Sequence, residues 1–131
     1  MCYNYRYSEV SSMSSFFSMN MVYAILCFIT GHILGWYATN LQFVGEFWKG
    51  KAVLPTVLFG LPCLFAFWWG TRFAMEASGE LWTSRFVAAV FSYLTFPIMT
   101  WWYLGESMFT LKTLSCMFLA FCILMIQIFV K

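Results

Sequence analysis

Four apolar runs dominate this chain: Met19 to Val44, Val53 to Ala74, Trp82 to Leu104 and Met108 to Val130. Each reaches about 20 residues, which at 1.5 Å per helical residue crosses about 30 Å of hydrocarbon. Inside hydrocarbon every backbone N–H and C=O needs a partner within the protein, so only helices or closed barrels can cross. Barrel strands alternate apolar and polar residues, and these runs do not. The expectation is an all-α polytopic membrane protein with four transmembrane helices and both termini on the same side. Composition agrees: 9% of the 131 residues are charged, against about 25% in water-soluble domains. Such a chain cannot cover a soluble surface, and its length leaves room for one domain.

Aromatic residues mark the same boundaries. Trp48 lies beyond the first run, Trp68 and Trp69 near the end of the second, and Trp82 at the start of the third. Trp101, Trp102 and Tyr103 close the third run. This is the belt expected where amphipathic rings meet headgroups. The charges keep to the connections: Lys49 and Lys51 in the first, Arg72, Glu76, Glu80 and Arg85 around the second, Glu106 and Lys112 at the third. No Lys, Arg or Glu lies deep in a run, as a cost of about 2.5–3.5 kcal/mol at the bilayer centre requires.

Basic residues are scattered singly and the net charge is +2, so no nucleic-acid partner is expected. The lipid bilayer is the partner implied, in a cell (inner) membrane. Arg6, Arg72, Arg85 and Lys131 fall on the terminal side, and Lys49, Lys51 and Lys112 on the other. That near-balance barely selects an orientation. One reading is insertion both ways with antiparallel pairing; the other is an orientation fixed by an insertase or partner.

Residues 1–18 are polar, aromatic and serine-rich, and read as a flexible or interfacial tail ahead of a four-helix membrane domain over 19–131. The apolar run that follows is too long for a cleaved signal peptide and lacks a small-x-small site after it. Met13, Met19 and Met21 precede or open the first run and are hypothesised as native starts, an idea that N-terminal sequencing finding Met1 or Cys2 at the mature end would remove. The five cysteines lack paired zinc spacing, and those in apolar runs read as small hydrophobes. No metal or cofactor is implied.

The stretch GHILGWYATN carries the only histidine. On a helix His32, Gly35, Trp36, Thr39 and Asn40 share one face at offsets of three and four. His32 falls near the middle of its run, and ionisable groups at that depth are functional candidates. The structural alternative is a hydrogen-bonded packing histidine. Gly31 and Gly35 form GxxxG, which permits close helix approach. Pro62 and Pro97 lie within the second and third runs and free the carbonyls of Leu58 and Tyr93. Those oxygens either line a cavity or accompany passive bending.

Ser84, Ala88, Ser92 and Thr95 form a small-residue stripe, and Cys116, Ala120, Ile123 and Gln127 a comparable face. Both read as helix-packing or dimer seams. Arg72 and Glu76 have the spacing of an attractive helical pair, Glu76 and Glu80 that of a repulsive one, and Ser78 is positioned to cap the third helix.

The segment FPIMTWWYLGESMFTLKTLSCMFLAFCILMIQIF resembles the last two helices of the drug/metabolite transporter superfamily. There a proline-bearing helix ends in a leucine-glycine-glutamate turn, matched here by Leu104, Gly105 and Glu106. The four-span plan is similar to the small multidrug resistance branch, and the pair Trp36-Tyr37 resembles one found in the first helix of a four-helix branch. The resemblance implies a transporter of small organic solutes; a dimer is expected because four helices enclose little cavity and the small-residue faces need partners. Small multidrug resistance proteins exchange protons for cationic drugs at a glutamate in the first helix, and this first run has no carboxylate. Neutral imidazole attracts a cation far less, and imidazolium repels one.

The expected function is therefore a small transporter or transporter-like protein, with His32, Trp36, Tyr37 and Asn40 lining a solute path and Tyr93 and Pro97 facing them. A non-transport accessory, assembly or holin-like protein is the alternative. An enzyme is not expected: there is one histidine, no aspartate, and no nucleophile-base pair with readable spacing.

Overall fold

The computed structural model describes residues 18–129. Arg6, the start at Met13, Cys2 and residues 130–131 lie outside them, as does nearly all of the expected tail. Four helices run in order: α1 Met19–Asn40, α2 Val53–Ser78, α3 Leu81–Leu104 and α4 Leu111–Phe129. All four are long and apolar enough to cross a membrane, so the chain is an integral membrane protein. By connectivity α1 and α3 run one way and α2 and α4 the other, and Met19 and Phe129 share a side.

Local chemistry sets the helix ends. Ser18 caps α1, its Oγ accepting from the Met21 N–H at 3.3 Å. Near the other end, Thr39 donates to the Gly35 carbonyl and Asn40 to that of Trp36. Such back-bonding competes with the helical ladder, and the chain tightens into a 3-10 turn, Leu41–Phe43. Helix α4 starts at Leu111 rather than Met108 because Thr110 caps it, taking the Thr113 N–H at 3.2 Å.

The second run extends further than expected. Helix α2 continues to Ser78, because nothing between Arg72 and Ser78 breaks it. Its 26 residues span about 39 Å, beyond the hydrocarbon thickness of about 30 Å. Arg72 and Glu76 therefore sit on a projecting turn of helix, paired at 3.1 Å. Gly79 stops α2 in the left-handed region, at φ 74°. Glu80 then stands at the N-cap of α3, so Glu76 and Glu80 do not share a helix. Ser78 is not the cap; its Oγ donates to the Ala74 carbonyl and accepts from the Glu80 N–H.

Close packing of α1 on α2 depends on absent side chains. A Cβ at Gly70 would lie 2.7 Å from the Phe28 ring, and one at Gly31 3.1 Å from Phe67. At Gly35 it would meet Cys63 Sγ at 3.4 Å. The GxxxG pair is thus occupied within the chain, by α2. The fully buried core, Met21, Ala24, Phe28, Ala74 and Val87, comes from α1, α2 and α3 alone. Elsewhere large apolar side chains face outward, among them Leu64, Trp102 and Phe118, as a bundle solvated by lipid requires.

Helix α4 packs on α3 through one face. Ala120 is buried, and Met117, Leu124 and Gln127 are half-buried. Cys116, expected on that face, is exposed; the buried face is rotated towards Met117 and Leu124. The Ser84–Thr95 stripe also points into the bundle, with Ser84 and Thr95 buried and Ala88 and Ser92 half-buried.

Candidate functional site

Helix α1 occupies the centre of the bundle, against both α2 and α3. Its polar and aromatic face meets α3 at three points. His32 donates from Nε2 to the Ala88 carbonyl at 2.8 Å; the acceptor has no hydrogen to give, so this nitrogen carries the proton. The imidazole also stands edge-on to Phe67 of α2, with centroids 4.9 Å apart. One turn on, Trp36 is 2% exposed and its indole N–H donates to Thr100 Oγ1 at 3.0 Å. Next to it the Tyr37 hydroxyl meets that of Tyr103 at 2.7 Å.

These contacts fuse into an aromatic cluster. The Tyr103 ring lies 5.1 Å from Trp36 and 5.6 Å from Tyr37, and Phe59 of α2 lies 5.4 Å from Tyr37. Thr56 Oγ1, at the start of α2, lies 3.1 Å from the Ala38 carbonyl and 2.8 Å from that of Ala52, bringing a third helix to the same end. The seam therefore runs from the middle of α1 to its C-terminal end. Every side-chain donor and acceptor in its three α1–α3 hydrogen bonds is neutral or can be, and no Asp, Glu, Lys or Arg takes part in them.

Not every expected residue joins this seam. Asn40 turns back on its own helix, donating to the Trp36 carbonyl and to Thr39 Oγ1. Tyr93 is 52% exposed, and Pro97 is half-buried. Neither takes part in the hydrogen bonds or ring contacts that join α3 to α1 among the described residues. Ala88 bonds His32, whereas Ser92, beside it on the same stripe, is half-buried. Gly105 ends α3 in the left-handed conformation, at φ 69°, and Glu106 follows it outside any helix. The glycine thus has a local geometric reason to be there.

Thr100 has no role in the sequence reading, and Tyr103 only that of a belt residue. For Tyr103 a signal is present: the stripe from Ser84 to Thr95 continues by fours to Met99 and Tyr103. A second polar contact joins α3 to α4 near the opposite membrane face, where Thr83 Oγ1 lies 3.3 Å from Glu80 Oε2 and 3.4 Å from Gln127 Oε1. Among the described residues no three His, Cys or Glu side chains gather as a metal would require. No known protein family, curated protein or solved structure matches this chain significantly.

Proposed function

We propose that this integral membrane protein is a small transporter or transporter-like protein of the drug/metabolite type, with its solute path along the α1–α3 seam. The carrying observation is the string of neutral hydrogen-bonding groups, His32 to Ala88, Trp36 to Thr100 and Tyr37 to Tyr103. A side-chain hydrogen bond between membrane helices is worth about 0.6 kcal/mol on average, so each is exchangeable for one to a solute. With no carboxylate in its hydrogen bonds, the seam suits a neutral or weakly polar organic molecule better than a cation. Four helices enclose little space, and a second copy, parallel or antiparallel, completes the path.

Flux of a panel of small organic solutes into proteoliposomes tests this reading. His32→Ala is expected to abolish solute-dependent flux while expression stays intact; unchanged flux removes His32 from the path. A second reading, a non-transport accessory, assembly or holin-like protein, is favoured by one observation: each seam group already has a partner inside the chain. In-membrane cross-linking that captures a stable heteromeric partner and no homodimer supports it. Reporters at both ends and in the first connection add a further test, because activity on both sides of the membrane fits dual-topology transporters and a single orientation does not.

A further inference from the structure

We propose that the first connection, residues 41–52, is an interfacial anchor whose Lys51 recruits anionic phospholipid headgroups. The segment is folded rather than loose. The Val44 N–H bonds to the Leu41 carbonyl at 3.0 Å, Trp48 to Gly45 at 3.1 Å, Lys51 to Trp48 at 3.0 Å and Leu54 to Lys51 at 3.2 Å. These successive turns satisfy backbone groups that would otherwise resist leaving water, the precondition for settling among headgroups. Leu41, 7% exposed, pins the start of the segment to the bundle.

The side chains divide as an interface requires. Phe43 and Phe47 are 66% and 64% exposed although they lie outside the four helices. Trp48 packs edge-on against Phe47 at 5.0 Å, giving the connection an aromatic wedge. The charged groups are distributed unequally. Lys49 pairs with Glu46 at 3.4 Å, so the two together carry no net charge. Lys51 Nζ sits 3.9 Å from the Phe47 ring centroid and, among the described residues, belongs to no ion pair. The segment thus offers one uncompensated ammonium on an aromatic platform that seats it beside the acyl boundary, where a headgroup phosphate lies. The α2–α3 connection has no counterpart, consisting of Gly79 and Glu80 alone.

The test is native mass spectrometry of the full chain, released from detergent with equal amounts of phosphatidylglycerol, phosphatidylcholine and phosphatidylethanolamine. Preferential retention of phosphatidylglycerol is expected, with Lys51→Gln lowering that preference about fivefold and Lys51→Arg keeping it. Lys112→Gln, a lysine on the same side but outside the segment, should leave most of the preference in place. Equal retention of the three lipids, a phosphatidylethanolamine preference, or an unchanged preference in Lys51→Gln overturns the proposal. So does loss of bound lipid on adding excess inorganic phosphate, which would make the site one for soluble phosphate. Circular dichroism confirms that the variants remain helical, so that a lost preference is read as lost binding.

Discussion

The Nε2–H of His32 reaches the main-chain carbonyl of Ala88 across 2.8 Å, joining two helices that run in the same direction. That carbonyl also lies within a continuous helix, so removing the imidazole does not orphan it. His32→Ala should therefore lower stability by only about 0.6–1.5 kcal/mol, within the range for intramembrane hydrogen bonds. Reversible unfolding in mixed micelles measures it. A loss above about 3 kcal/mol would assign His32 a packing role far larger than its one bond.

Trp36 should behave differently, because it is nearly fully buried and touches Thr100 and Tyr103 together. Trp36→Ala leaves a cavity and is expected to cost about 3–5 kcal/mol, whereas Trp36→Phe loses chiefly one hydrogen bond. The same unfolding assay compares the two. Equal losses would mean that the indole N–H, rather than the ring volume, dominates.

The hydroxyls of Tyr37 and Tyr103 face each other at 2.7 Å. A double-mutant cycle with Tyr37→Phe and Tyr103→Phe should return a coupling of about 0.5–1 kcal/mol, since the rings keep their edge-to-face contact when the oxygens go. Strict additivity would show that the pair is not formed in the membrane.

Glycine positions on α1 and α2 should rank by the room opposite them. Gly70→Ala drives a Cβ into Phe28 at 2.7 Å, Gly31→Ala meets Phe67 at 3.1 Å, and Gly35→Ala makes an ordinary contact at 3.4 Å. Gly60 has nothing within 4 Å. The expected order of destabilisation is Gly70, Gly31, Gly35, Gly60. Gly70→Ala should lose about 1–3 kcal/mol through overpacking, while Gly60→Ala is neutral or gains from helix propensity. Thermal melts of the four variants decide the order, and a reversal at its two ends contradicts the α1–α2 packing.

Ser84 buries a hydroxyl that has no partner among the described residues. Ser84→Ala should be neutral or stabilising by up to about 1 kcal/mol, because an unpaired buried polar atom is removed with almost no change in volume. Clear destabilisation would reveal a hydrogen bond at this site.

The helices and their number were legible because hydrocarbon imposes a length on every crossing, and that length is written directly in the apolar runs. Gly31 and Gly35 were legible as a close-approach site for the same reason: a missing side chain is visible in one dimension. Which helix fills them was not, since Cys63 and Phe67 are ordinary apolar residues until the α1–α2 geometry is known. Tyr93 and Pro97 illustrate the opposite failure. A tyrosine and a helix-breaking residue invite a functional reading, yet the rotation of α3 follows from burying Ser84, Val87 and Thr95. Tyr103, read only as a belt residue, was the one delivered to α1.

The fully buried core has consequences for synthesis at the membrane. Its residues Met21, Ala24, Phe28, Ala74 and Val87 are all present once the third helix has emerged from the translocon. Helix α4, which buries Ala120 and places Leu124 against that core, then arrives at an assembled platform. Helix α4 comes last in chain order, and the polar contact between Thr83 and Gln127 marks where it packs on α3.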